Sequence, residues 1–189
     1  MSEAVSALNG AEFNGAVRIS EAGLLGMITL RGDLEDAKLA AAVKAAVGLA
    51  MPAKRGVRDG KKGSVAWMSP DELLLMLPYA GADQTVARLD KSLEGVHHLA
   101  VNVSDARAVF HLEGRGLREV IAKGSPADLS SMGLPVGEVR RTRLGQVAVA
   151  FWLSDEDHLT LICFRSVGAH VFAWLKNAAA EGTLPEFLG

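Results

Sequence analysis

The chain nearly repeats itself, and that repetition limits what it can fold into. ITLRGDLEDAKLAAAV (Ile28–Val43) stands beside FHLEGRGLREVIAKG (Phe110–Gly124), each a strand pattern, a glycine and then a helix pattern. VAWMSPDELLLMLPYAGADQTVARLDKSL (Val65–Leu93) stands beside VAFWLSDEDHLTLICFRSVGAHVFAWLKNAA (Val149–Ala179). Trp67 lies opposite Trp152, Ser69 opposite Ser154, and Gly81 near Gly168, at an offset of about 82 to 87 residues. Each copy reads strand–helix–strand–strand–helix, and Val96–Val103 adds a strand after the first. That is the split, ferredoxin-like order. Two copies are too few for an open solenoid, so a closed pseudo-duplicate is expected: an α+β fold of two ferredoxin-like β-α-β-β-α units.

The clearest stretch runs from Glu138 to Ala178. Arg140–Leu144 reads as a short basic strand, Val147–Leu153 as a second and His158–Phe164 as a third. Gly145 and Gln146 form a two-residue hairpin loop between the first pair. Gly168–Ala178 reads as an amphipathic helix. Upstream, strands are predicted at Val17–Ser20, Leu24–Arg31, Ser64–Met68, Leu73–Leu77, Val96–Val103 and Arg107–Leu112. Helices are predicted at Leu34–Val47, Ala82–Leu93 and Gly116–Ala122. The first of these is rich in alanine, with Asp33 as its N-cap. Met51–Gly63 and Gly124–Gly137 read as loops. The expected organisation is a flexible segment over residues 1–16, a first half over 17–104 and a second over 105–189, together one compact domain.

A chain of 189 residues, 49% of them hydrophobic, has enough apolar material for a core. Its 20 bases and 22 acids are mixed along the sequence, whereas a nucleic-acid partner would favour a concentrated basic patch. The single cysteine, Cys163, rules out a disulfide framework within the chain and points to a reducing compartment. Met1–Glu12 has neither the basic region nor the apolar run of a signal peptide. No window reaches the ~18 apolar residues of a membrane span. A cytoplasmic protein with no membrane partner is expected.

The chemistry-bearing residues form no catalytic pattern. Cys163 lies in LTLICF, where an apolar strand would bury the thiol and raise its pKa. His97 and His98 are adjacent and face opposite sides of a strand, while His111, His158 and His170 have no ligand at zinc-like spacing. Asp155, Glu156 and Asp157, with Asp71 and Glu72 as their counterparts, read as polar turns. Glu113-Gly114-Arg115-Gly116 lacks the third glycine of a phosphate loop, because Glu119 stands there, and lacks the P-loop lysine. Lys54, Arg55, Arg58, Lys61 and Lys62 read as a solvated basic loop, with anion or acidic-partner docking as the alternative. Arg141 and Arg143 share one face of their strand. With Trp152 from the neighbouring strand they are candidates for a partner interface, since Arg and Trp are enriched at hot spots. No catalytic, cofactor-binding or metal residue is assigned.

Three segments carry a resemblance to the gamma subunit family of heterotetrameric sarcosine oxidase. Trp67–Pro78 (WMSPDELLLMLP) has the family's Trp-x-x-Pro-Asp-Glu pattern. Asp105–Ser130 is similar to its strand–glycine–helix segment ending in Asp-Leu. In Arg140–Ala179, Thr142, Gln146, Arg165-Ser166 and Trp174-Leu175 stand at the family's marks. More weakly, the chain resembles the aminomethyltransferase (glycine cleavage T-protein) folate-binding family, of which the gamma subunit is a reduced form.

The resemblance implies a reduced aminomethyltransferase folate-binding-like fold and a role inside a complex. That enzyme oxidises sarcosine to glycine and passes the one-carbon unit to tetrahydrofolate. By the resemblance, FAD and FMN sit in the beta subunit, NAD and folate sites in the alpha subunit and zinc in the delta subunit, with no cofactor in this chain. The implied partners are the alpha, beta and delta subunits, alpha being the main contact. The implied role is assembly, or shielding of the alpha subunit's folate domain. The alternative is a stand-alone folate-binding or aminomethyltransferase-like protein, for which Asp128 and Arg141 are the residues to test. A related free protein of iron–sulfur assembly is marked by Lys-Gly-Cys, whereas here Lys123-Gly124 is followed by Ser125.

Overall fold

The computed structural model describes residues 3–188, which form two compact units. One is the continuous stretch Leu24–Ser104; the other joins the segment before it to everything from Asp105 onward. The described residues before Leu24 therefore group with those from Asp105 onward.

The continuous unit contains β3 (Leu25–Gly32), α1 (Ala37–Val47), β4 (Val57–Gly60), β5 (Gly63–Ser69), β6 (Glu72–Pro78), α2 (Ala82–Ser92) and β7 (His98–Asn102). Its sheet runs β4-β5-β6-β3-β7, antiparallel throughout. Without β4, this is the order of a ferredoxin-like unit: first strand beside third and fourth, second at the edge. The other unit contains β1 (Glu12–Asn14) and β2 (Arg18–Glu21), then β8 (Arg107–Glu113), α3 (Leu117–Ala122), β9 (Arg140–Leu144), β10 (Val147–Asp155), β11 (His158–Phe164) and α4 (Gly168–Ala178). Its sheet runs β1-β2-β8-β11-β10-β9. The fourth ferredoxin strand, which β7 supplies after α2 in the first unit, is supplied here by β2 from the start of the chain. That is why the N-terminal residues join the second half, and why β1 sits in the sheet instead of in a flexible segment.

Each unit has two layers. Alternate residues of the strands face the helices. Phe110, Leu112, Phe151, Leu153 and Leu161 meet Val120, Ile121, Val171 and Leu175 in one core. Ile28, Leu30, Val65, Leu73 and Leu75 meet Leu39, Val43 and Leu89 in the other. Burial of each such side chain contributes roughly 1.5–3 kcal/mol, and period-2 alternation selects which residues are buried. The opposite sheet faces also carry buried apolar residues: Val109, Ala150, Trp152 and Ile162 in one sheet, Met27, Ala66 and Leu74 in the other.

Three expectations change. α1 starts at Ala37, and its cap is Asp36, whose carboxylate accepts from the Lys38 and Leu39 amides at 2.6 and 3.1 Å. Asp33 accepts from the Glu35 amide in the turn before it. The basic loop holds β4, which pairs with β5 from Val57–Ala66 to Gly60–Gly63. Finally, the two tryptophans are not equivalent. Trp67 pairs with Leu73 just before a bulge and packs on the helix side, where Leu153, paired with Leu159 just before the matching bulge, stands in the other unit. Trp152 is one residue earlier, and a one-residue slip places it on the other face.

No helix among the described residues is long and apolar enough to cross a membrane.

Candidate functional site

α3 is six residues long, with charged residues at its second and third positions, and both are buried. Arg118 turns to the loop that follows: its guanidinium donates to the carbonyls of Leu129, Ser130 and Leu134 at 3.0, 3.3 and 2.9 Å, and to Glu156 at 2.8 Å. Glu119 turns the other way, accepting from the amides of Glu186 and Leu188 at 2.7 Å each. Burial pushes the Glu119 carboxyl up, but the Leu188, Glu186 and Phe187 amides outweigh it and hold the group below the ordinary glutamate value. Leu184 lies over Gly116, whose φ of +87° and lack of a side chain allow that approach. Two adjacent residues of a short helix therefore fix two segments through backbone groups: a loop displaying Met132, 91% exposed, and a C-terminal strap displaying Phe187, 87% exposed. In the sequence Glu119 stands out only as the residue where a phosphate loop would have glycine, and Arg118 does not stand out. Neither carries a motif signal, because each binds main chain distant in sequence.

A groove beside the strap is lined by Lys123, Ala127, Asp128, Leu129 and Phe187. Asp128 is held below the ordinary aspartate value first by the Ser130 amide, then by the Ser130 hydroxyl, and Arg140 is the cation that contributes. Asp128 is thus engaged in its own loop, with Arg140 as a neighbouring charge. Arg140 itself donates to Glu138 and to the Gly133 carbonyl.

On the edge strand β9, Arg141 lies opposite Ala150 and Arg143 opposite Ala148, both exposed and on the sheet face that also carries Trp152. The shared face agrees with the spacing argument. Trp152 is only 2% exposed, so in this chain it is a core residue and is withdrawn as an exposed anchor, which leaves the two arginines.

Further along the same face, the imidazole of His158 contacts Asp155 at 2.7 Å, and His111 lies 3.3 Å from the Thr160 hydroxyl. The Asp155 carboxylate raises the pKa of His158, and burial lowers that of His111. Asp155 also accepts from the Asp157 amide, so this acidic turn is internally bonded. Burial pushes the Cys163 thiol up to about 11, despite an opposing effect of Arg107. A thiol so shifted stays protonated at neutral pH and is a poor nucleophile. No group of three or more His, Cys, Asp or Glu among the described residues could hold a metal ion.

Two fused ferredoxin-like units, with Arg118 and Glu119 holding neighbouring segments through backbone groups, define a pseudo-duplicated α+β chain of the aminomethyltransferase-like fold. The aminomethyltransferase T of the glycine cleavage system from Bartonella henselae has this fold, with a TM-score of 0.61 over 85% of this chain and 46% of that one, at 14% identity. More specifically, residues 31–181 match the sarcosine oxidase, gamma subunit family, and the chain belongs to that family. It is 31% identical over 152 residues to the sarcosine oxidase subunit gamma of Corynebacterium sp. strain U-96, covering 77% of this chain and 71% of that one. The subunit from Arthrobacter sp. is 29% identical over 147 residues, with the same coverage. A chain of the heterotetrameric sarcosine oxidase from Corynebacterium sp. U-96, solved with pyrrole 2-carboxylate, superposes with a TM-score of 0.79 over 89% of this chain and 87% of its own, at 27% identity.

Proposed function

We propose that this chain is a non-catalytic subunit of a flavin-dependent heterotetrameric sarcosine oxidase, which demethylates sarcosine to glycine and passes the one-carbon unit to tetrahydrofolate. The family match across residues 31–181 carries this reading. FAD, FMN, NAD, zinc and the folate site belong to the alpha, beta and delta partners, with alpha as the main contact. The role of this chain is to position the folate domain of the alpha subunit or close it off, so that the one-carbon intermediate is not lost to water. A stable contact of that kind buries at least roughly 1,000 Å².

Arg141 and Arg143 are the proposed partner contacts. They project from an edge strand, are exposed, and present guanidinium forks suited to carboxylates. Replacing both with Glu and co-expressing the chain with the other three subunits tests this. The expected result is a folded chain that no longer co-purifies with the complex. Normal assembly of the Glu variant removes the arginines from the interface.

A further inference from the structure

The outer edge of β7 has no strand paired to it among the described residues. Its counterpart in the other unit is β2. β7 pairs with β3 through Leu99–Arg31, Ala100–Leu30, Val101–Thr29 and Asn102–Ile28. β2 pairs with β8 through Arg18–Glu113, Ile19–Leu112, Ser20–His111 and Glu21–Phe110. Because β3 and β8 open equivalent units, Leu99 stands where Arg18 does and Val101 where Ser20 does. The two edges are then treated oppositely. That of β2 is closed by β1, laid antiparallel from Glu12–Ser20 to Asn14–Arg18. That of β7 is open.

The side chains are reversed as well. Open edges are normally protected by charge, because their free N–H and C=O groups template pairing with another chain. Here the covered strand carries Arg18, and the open strand carries no Asp, Glu, Lys or Arg between His98 and Asn102. Instead it exposes Leu99 at 52% and Val101 at 39%, two positions on one face. The strand is also held firmly from behind. Asn102 donates to Asp83 at 2.6 Å, and His98 contacts the Val96 carbonyl at 2.8 Å and Asp90 at 3.1 Å. A rigid edge loses little freedom when a partner adds to it.

We propose that β7 is a docking edge that receives an extended strand from another subunit of the oxidase complex, laid antiparallel as β1 is on β2. Main-chain hydrogen bonds supply the attachment, and apolar side chains at alternate positions of the incoming strand cover Leu99 and Val101. The proposal rests on the subunit reading above; β1 is its precedent within the same chain.

The test compares backbone amide exchange in the free chain and in the complex co-purified with the other three subunits. Amides within His98–Asn102 are expected to slow at least about tenfold on assembly. The variant carrying Leu99→Lys and Val101→Lys is expected to keep the thermal midpoint of the free chain, since both side chains are exposed, and to lose about tenfold or more in affinity for the complex, as truncation of an interface anchor does. Wild-type assembly with unchanged exchange in β7, or normal assembly of the double-Lys variant, overturns the docking edge while the subunit reading stands. Protection that appears in the isolated chain as its own concentration rises assigns the edge to a second copy and also overturns it. Failure of the wild-type chain to assemble overturns the subunit reading, and this inference with it.

Discussion

Replacing Glu119 with Ala separates the strap from the rest of the fold. The carboxylate accepts from the Glu186 and Leu188 amides at 2.7 Å each, inside a buried site. A hydrogen bond to a charged group contributes about 1.5–3 kcal/mol, and two on one acceptor are not additive, so about 3 kcal/mol is the expected loss. That corresponds to roughly 100-fold in the opening equilibrium of residues 186–188. Amide exchange on the intact chain reads it directly: Glu186 and Leu188 should exchange about 100-fold faster in the variant, with β10 and β11 unaffected. The same contact sets a pH dependence. The folded pKa lies below the ordinary glutamate value of 4.5, so the carboxylate's contribution is fully present above that value and is lost as pH falls through the folded pKa. Strap protection in the wild type should therefore fall on acidification below about pH 4.5, and the Ala variant should lack that step. Equal exchange rates at Glu186 and Leu188 in the two proteins would refute the latch.

Three further predictions follow from burial and capping. Trp152→Ala should destabilise the chain by about 3–5 kcal/mol in denaturant titration, because the side chain is 2% exposed; a change near zero would return Trp152 to the surface. Cys163 should resist a thiol reagent at pH 8 in the folded chain and react once it is unfolded, since its pKa of about 11 leaves almost no thiolate, and fast native labelling would contradict its burial. Asp36→Ala should cost about 1 kcal/mol and Asp33→Ala less, measured by chemical denaturation, because Asp36 caps two amides of α1; the reverse order would restore the earlier helix start.

The elements from Arg140 to Ala178 were legible in the sequence because each signal there is local. The hairpin loop at Gly145-Gln146 and the apolar runs on either side mark β9, β10, β11 and α4. The repeat announced the pseudo-duplication for the same reason. What stayed hidden depends on distant partners. Nothing in RISE (Arg18–Glu21) shows that it completes the second unit, since its pairing with β8 spans about 90 residues of chain. β4 was hidden by the glycines and bases around it, and only its ladder to β5 makes it a strand. Matching Trp67 with Trp152 was a one-residue error, small along the chain but decisive across a sheet. Of the interface candidates, spacing places Arg141 and Arg143 on one face, while their exposure and the burial of Trp152 are seen only once the sheet is assembled. Arg118 and Glu119 could not be read, because an ionised residue in a short helix is ordinary until its main-chain partners are located.

Purification of the tagged chain from its native cell under mild salt shows whether it belongs to an oxidase complex. Recovery of a flavin-containing sarcosine oxidase carrying this chain at one copy per complex is expected from the subunit reading. Recovery of the chain alone, with tetrahydrofolate raising its thermal midpoint through binding linkage, would contradict it and identify a stand-alone folate protein.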